Sequence, residues 1–522
     1  MRITNQMVTS GSLRNMQKTM QKVSKLNEQS ITGKKILAPS EDPVIAIRAL
    51  KLRTTVDKLT QYKDKNIKDA LEWVNTTQDS IDSVMKDLED VYYYCMQGST
   101  DTFHEEDRSK IISELKALKE SIYSVGGTSY AGRYLFSGYK TETNMLFQNK
   151  AAKEGLSYEG ITQNISPDSI KVKSVVLNEV TPGDLDGILA GTSTYESPVN
   201  ESVYRLQLAY GSLDSDGFSI EVTDKAGNQS TLTFDAANAN KAAVTLPDGT
   251  AANITIMSIA DTADYYKVED DDIHYIPETG ELIFGKNAYN SIKDAANIQV
   301  TYNKSQFDVG DLRPELYFDC TQIKKNPDGT TDKTTQYTVS KEGQQIQYEV
   351  NFNQYVTVNA EGKDIITHAM GNCINDMADA VQEVLDIENK INRLNDLLED
   401  PQYKDNETAV AQINKMLEDA DVELALKREN MQKLFGNNIT NFQNFMSDVS
   451  AVEARVGTTY AKLVLIQERV GEQLDSFKEL KSSNEDVEAE EVAIELYQAE
   501  LAMNAALATT SSVIQKTLLD YL

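Results

Sequence analysis

The chain has 522 residues, so length alone allots it roughly three to four domains' worth of material. It carries 81 acidic against 51 basic side chains, a formal charge of -30, which would repel a phosphate backbone and argues against a nucleic-acid partner. Three scattered cysteines (Cys95, Cys320, Cys373) and three scattered histidines (His104, His274, His368) exclude a disulfide framework and a spaced metal motif, and no apolar run approaches the ~18 residues of a membrane span.

The first 40 residues hold seven basic groups against Glu28, with Leu13, Met16, Met20, Val23 and Leu26 at helical spacing. The opening stretch has no apolar core, so a Sec signal is not expected and export would use another route. Asp42 followed by Pro43 marks a helix start, the carboxylate as N-cap and the imino acid where no amide hydrogen is needed. From Val44 to about Gln97 the apolar positions recur by threes and fours, predicting one long helix or two nearly continuous ones. A further helix runs from about Glu105 to Val125 and ends at Gly126-Gly127.

Between Pro167 and Pro327 lie seven of the ten prolines, and sixteen of the 26 glycines fall from Gly155 to Gly371. Period-two runs at 218–222, 230–234 and 346–352 predict half-buried antiparallel strands, with turns at Ala226-Gly227-Asn228, Pro247-Asp248-Gly249, Thr279-Gly280 and Pro327-Asp328-Gly329. The last 121 residues return to helix. Val456, Tyr460, Leu463, Ile466, Val470, Leu474 and Phe477 form a seam, a break is expected at Ser482-Ser483-Asn484, and Ser483 with Asp486 reads as a capping box for a last helix bearing Ile494, Tyr497, Leu501, Leu507, Ile514 and Leu518. Residues 478–522 sum to -6 against +6 at the other end, so the two extremities should attract each other or a neighbour's ends.

The expected fold class is α+β: long antiparallel N- and C-terminal helices forming a coiled-coil-like bundle, with an inserted antiparallel β-rich domain. The expected segments are a terminal assembly helix (1–42), a helical arm (43–147), a β-rich outer domain (148–365), a second arm (366–480) and a closing assembly helix (481–522). Chemistry is hard to place. Gly126–Arg133 lacks the Gly-Lys-Ser/Thr of a phosphate loop, and Ser212–Gly217 imitates part of a calcium loop but has Ser212 at its first position and Thr223 at its twelfth, so the bidentate carboxylate is missing and a turn is expected. The acidic run Glu269–Asp272 reads as an exposed loop, and no carboxylate pair for glycoside hydrolysis can be picked out from sequence. No catalytic, metal-binding or cofactor-binding residue is assigned, and no cofactor is expected. Of Tyr92-Tyr93-Tyr94, successive helical positions allow only part to be core.

Three segments carry a likeness. Ser30–Pro43, reading SITGKKILAPSEDP, Tyr134–Gly138, reading YLFSG, and the finish Leu518–Leu522, reading LLDYL, resemble the signatures of the flagellin superfamily. Gly33, Lys34, Pro39, Ser40, Asp42 and Pro43 are the signature-loop residues. Filament subunits would show a different stretch at Asp42–Ala46, so the resemblance points to the branch that joins hook to filament rather than to the filament subunit. It implies a structural role without catalysis, polymerisation into a ring of about eleven copies, an outward β domain, and placement outside the cell on the flagellum. The partners it implies are further copies of itself, hook-associated protein 1, flagellin, and a cytoplasmic export chaperone on the last helix; no nucleic acid and no membrane. The subunit-interface residues are then Met7, Leu13, Met16, Met20, Val23 and Leu26 at one end and Ile494, Leu501, Leu507, Ile514, Leu518, Leu519 and Leu522 at the other. Each is equally compatible with burial inside one chain. If the seams need neighbours, both ends should be poorly ordered in a monomer. A filament subunit, or a ligand-binding or enzymatic β insert displayed on the flagellum, stays open as an alternative.

Overall fold

The computed structural model describes residues 5–100, 105–233, 241–259, 265–339 and 343–513. In chain order the elements begin with α1 (Asn5–Thr32), α2 (Pro43–Gln61), α3 (Lys68–Ser99) and α4 (Glu105–Ser124). The strands and short helices of the middle follow: β1 (Ser129–Tyr130), β2 (Arg133–Tyr134), α5 (Ala151–Glu154), β3 (Leu156–Ile165), β4 (Lys171–Leu177), α6 (Leu185–Leu189), β5 (Val199–Gln207), β6 (Ser219–Thr223), β7 (Gln229–Thr233), β8 (Lys241–Thr245) and β9 (Ala251–Ile256). Then come β10 (Ile273–Ile276), β11 (Glu281–Phe284), α7 (Lys286–Ile292), β12 (Asn297–Lys304), β13 (Asp319–Lys325), β14 (Thr331–Tyr337), β15 (Gln347–Asn351) and β16 (Gln354–Thr357). The chain returns to helix in α8 (His368–Glu399), α9 (Glu407–Glu485) and α10 (Ala489–Val513). The α+β class with long terminal helices around a β-rich middle is therefore observed.

Two compact units are present: one of residues 1–72, 348–356 and 460–522, the other of residues 73–347 and 357–459. In the first unit, α2 opens as expected: Asp42 Oδ1 accepts from the amides of Val44 (2.9 Å) and Ile45 (3.1 Å), with Pro43 at the first helical position. Of the two expectations, one long helix or two nearly continuous ones, the second describes what is seen: α2 passes through a π-helical stretch, Tyr62–Ile67, into α3. There the Tyr62 hydroxyl donates to Glu349 Oε1 (2.8 Å) and Asn66 Nδ2 to the Glu349 carbonyl (2.8 Å), while Tyr62 and Phe352 stack edge to face. Helix α2 and the end of α9 run antiparallel, since Asn484 Nδ2 donates to the Ile45 carbonyl and a Cβ on Gly471 would meet Lys63. Their buried faces are Ala46, Ala49, Leu52, Val56 and Leu59 on one, and Leu463, Ile466, Val470 and Leu474 on the other. That part of the C-terminal seam is therefore filled within the chain.

In the second unit, two six-stranded sheets have the orders β4-β5-β11-β10-β9-β8 and β14-β13-β3-β12-β6-β7. One buried cluster draws on both, with Leu206, Ile254, Tyr275 and Leu282 from the first and Ile161, Ile220, Val300 and Tyr302 from the second. The sheets thus pack face to face. Strand β12 alternates strictly between buried and half-buried, whereas β10 and β11 are buried at every position because, on the face away from that cluster, Ile276 and Ile283 lie beside Val175, Leu177 and Val203 of the same sheet and the segment around Tyr265–Val268 packs over them. All four expected turns join neighbouring strands. Gly280 shows why glycine is required: its φ is +70°, and a Cβ would lie 1.9 Å from the Tyr210 carbonyl oxygen. The antiparallel expectation needs one correction, for β9 and β10 pair in parallel. The segment of 257–272 between them is long enough to carry the chain back to the same edge, as a parallel pair demands. Helices α4 and α8 pack antiparallel, Lys119 reaching Asn375 and Arg108 pairing with Glu388, which also holds Arg428.

A buried ion cluster ties β5 and β11 to α8. Arg205 contacts Glu281 and binds Asp376 through both terminal nitrogens (2.7 and 2.9 Å), and Lys173 lies 3.6 Å from Glu281. Burial opposes ionisation of Glu281, yet Lys173 and Arg205 outweigh it and hold its carboxyl below the usual range.

Candidate assembly interface

The chain's two ends meet in the first unit, and local chemistry explains how. Helix α1 stops at Thr32 because Gly33 turns left-handed (φ +67°), its amide closing the last turn on Gln29 O (2.9 Å). The next residues run alongside the α9–α10 connection like a short strand: Lys35 N–H donates to Glu485 O (2.7 Å) and Val487 N–H to Gly33 O (3.0 Å). Side chains reinforce this clasp. Glu485, only 3% exposed, receives Arg53 in a bidentate pair (2.7 and 2.6 Å), and Lys34 binds Asp486 at 2.5 Å while standing 3.6 Å from Glu485. The Arg53 hydrogen bonds hold the Glu485 carboxyl below its ordinary value, and Lys34 with Ser482 does the same for Asp486.

The expected break at Ser482–Asn484 is shifted. Helix α9 continues through these residues to Glu485, and α10 starts at Ala489. Ser483 does not cap the last helix; its carbonyl takes Lys35 Nζ, and Ser482 Oγ donates to Asp486 instead (2.7 Å). The serines form part of the clasp, a role set by residues about 450 positions away in sequence.

Of the signature loop, Gly33 and Lys34 form the clasp, Pro39 and Ser40 lie in an exposed turn closed by Glu41 N–H on Ala38 O, and Asp42 with Pro43 starts α2. Beyond the loop, α1 and α10 pair antiparallel. Leu26 (5% exposed) packs on Val492 and Ala499, with Val23, Val487 and Leu496 around it. Leu26 and most of Val23 are thus covered within the chain, and Met16 is half-buried. Met7, Leu13, Met20, Ile494, Leu501 and Leu507 are 40–62% exposed. Ile514, Leu518, Leu519 and Leu522 lie outside the described residues.

The charge sums at the two ends are matched only at the clasp. Among the described residues Arg14, Lys18 and Lys22 form no ion pair, nor do Glu490, Glu491, Glu495 and Glu500, and Lys25 pairs with Glu41. Sequence reasoning missed Arg53 and Glu485, and it missed a second apolar face: Val44, Ile47 and Leu50 are 56–76% exposed on the side of α2 opposite Ala46, Ala49 and Leu52. Apolar residues on two faces of one helix were the available signal. Tyr497 and Ile31 add to the exposed apolar surface at the same two ends. Of the tyrosine triplet in the second unit, Tyr93 is exposed and Tyr92 and Tyr94 are half-buried.

Among the described residues no group of three His, Cys, Asp or Glu could hold a metal ion, and no helix is long and apolar enough to cross a membrane. In the acidic run Asp272 accepts from Asn253 and Asp271 from Asn287, while Glu269 and Asp270 are exposed.

Paired terminal helices joined by a clasp, with a β-rich middle in the sequence between them, leave apolar side chains exposed along α1, α2 and α10. Residues 3–141 match the family described as the bacterial flagellin N-terminal helical region. The motifs Ser30–Pro43 and Tyr134–Gly138 lie inside this match, so their likeness to the flagellin superfamily is supported, and residues 3–141 are similar to a flagellin N-terminal helical region. The flagellar hook-associated protein 3 of Escherichia coli (strain K12) is 25% identical over 189 residues, 36% of this chain and 58% of that protein. A flagellin of Salmonella oranienberg is 24% identical over 271 residues, 48% of this chain and 52% of that protein. The chain thus spans less than two thirds of either relative. The crystal structure of flagellar hook associated protein-3 from Legionella pneumophila aligns with 83% of this chain and 97% of its own at 10% identity, with a TM-score of 0.28, too loose a superposition to bear on the fold.

Proposed function

We propose that this protein is a structural adaptor of the bacterial flagellum, joining hook to filament by polymerising through its terminal helices. The observation that carries the proposal is the row of exposed apolar side chains on α1, α2 and α10, in a chain whose N-terminal region is similar to that of flagellins. Burying one such Leu, Ile or Met contributes about 1.5–3 kcal/mol, so a handful per contact is enough to drive association. The unpaired bases of α1 and acids of α10 suit a neighbour that presents the opposite end. Polymerisation into a closed ring, neighbours of the hook-associated and flagellin kinds, an export chaperone on α10 and a position outside the cell belong to this reading. So do the absence of catalysis and the role of residues 148–365 as an outer domain between helical arms. The match to a flagellin supports one second reading, a filament subunit, and copy number separates them: a ring needs few copies per flagellum and a filament thousands.

Met20→Glu and Leu501→Glu in the full chain test the interface. Each should leave the monomer's circular dichroism unchanged and stop incorporation into flagella followed with a tagged chain. Normal incorporation of both variants refutes the assignment.

A further inference from the structure

The second unit contains a cleft of about 910 Å³ that no part of the assembly reading uses. Its walls are the loop after β2, the end of α5, the turn before β13, and the outer ends of β13 and β14. At its base sits Glu315, with a side chain 2% exposed. Glu315 Oε2 accepts the Tyr158 hydroxyl (2.8 Å), which in turn accepts from Gln322 Nε2 (2.6 Å), so one carboxylate oxygen is fixed by the fold.

The other oxygen is left differently. Glu315 Oε1 faces Lys140 Nζ at 3.6 Å and Arg313 Nη1 at 3.9 Å, and Arg313 Nη2 faces Glu154 Oε2 at 3.6 Å. These separations are ion-pair distances, too long for hydrogen bonds. Neither cation makes a hydrogen bond to another described residue, and Arg313 Nε is buried without a partner although its side chain is only 11% exposed. Lys140 and Arg313 are held in place from behind by rings, Lys140 at 3.5 Å from the centre of Tyr337 and Arg313 at 4.4 Å from that of Phe147. The cleft therefore presents two preorganised cationic donors and two carboxylate acceptors that are paired only at ion-pair distance, which leaves hydrogen-bonding capacity on each of them for a ligand in the cleft.

The geometry points to a binding site for a neutral oligosaccharide. An anion would meet Glu315 and Glu154 and a cation would meet Arg313 and Lys140, whereas a sugar hydroxyl donates to a carboxylate and accepts from a guanidinium at once. The cleft lies within the size range of small-molecule sites, and the rings of Tyr134 and Tyr139 at its rim offer apolar faces to sugar C–H groups. Tyr139 is 65% exposed and, among the described residues, its hydroxyl accepts the Gln345 amide alone, which leaves ring surface open to a ligand.

The test is a calorimetric titration of the full chain with maltotriose, chitotriose and lacto-N-tetraose, and with inorganic phosphate in parallel. At least one saccharide should bind saturably while phosphate does not. Tyr139→Ala and Glu315→Gln should each weaken that binding about ten-fold or more. Because Tyr139 is exposed, its variant folds even if loss of the Glu315 charge disturbs the site. No saturable binding by any of the three sugars up to about 10 mM, a preference for phosphate, or affinity unchanged in Tyr139→Ala overturns the proposal.

Discussion

Glu485→Ala should loosen both terminal helices together. The carboxylate is 3% exposed and receives two charge-assisted hydrogen bonds from Arg53, with Lys34 at 3.6 Å. Hydrogen bonds to charged groups contribute about 1.5–3 kcal/mol each. Arg53 is 52% exposed and returns to water when released, which lowers the expected loss to about 1–3 kcal/mol. Because, among the described residues, α1 and α10 bury only Leu26, Val492, Ala499 and Thr510, that loss is a large share of what holds them to the unit. Amide hydrogen exchange in the full chain, read over α1 and α10, should therefore accelerate about 5- to 140-fold, the factor that 1–3 kcal/mol sets at ~1.4 kcal/mol per decade. Arg53→Met should act similarly and Lys34→Met less. Since the folded-state pKa of Glu485 is depressed, its contribution is complete above the unfolded carboxylate value near 4.5 and is lost as pH falls through the lower folded value. An exchange rate within two-fold of wild type at neutral pH would refute the clasp as the fastening of the two ends.

The second unit should weaken in acid for a separate reason. His368 is buried among Tyr210, Tyr317 and Phe318 with Nε2 unpartnered, and burial pulls its pKa down to about 3. The unfolded chain takes up a proton near pH 6.5 and the folded chain does not, so stability falls as pH drops from about 6.5 toward 3, by up to ~1.4 kcal/mol per pH unit. His368→Phe should flatten that slope in urea titrations, and an unchanged slope counts against it. Arg205→Met should cost about 3–5 kcal/mol by leaving Asp376 without its cation and Glu281 with Lys173 alone at 3.6 Å, a loss below about 1 kcal/mol contradicting the role given to the ion cluster. Gly280→Ala should destabilise through both its left-handed backbone and the Tyr210 carbonyl, measurable as a lower urea midpoint; an unchanged midpoint would mean the turn rearranges freely.

Sequence reasoning located the helices because their apolar spacing is a local property, and it located the turns because Gly280 and the Asp-Gly pairs act within four residues. Asp42 and Pro43 likewise start α2 by chemistry contained within three residues of Asp42, its carboxylate taking the amides of Val44 and Ile45. The short strands β10 and β11 escaped it: Ile273–Ile276 and Glu281–Phe284 are buried on both sides and show no alternation. Even the candidate interface was legible only in part, since the same spacing that marks Met20 as apolar marks Leu26, and packing on Val492 alone separates the exposed one from the covered one.

Periodicity, breakers and caps, all short-range, determined by themselves that this chain is helix, sheet and helix with apolar terminal faces. Tertiary structure decided that Glu485 meets Arg53 across 432 positions, that Ser482 and Ser483 serve a clasp instead of a cap, and that β9 runs parallel to β10. The physical reason is that a charge pair, a sheet neighbour or an exposed face depends on what the fold brings within a few ångströms, and spacing along the chain does not specify that.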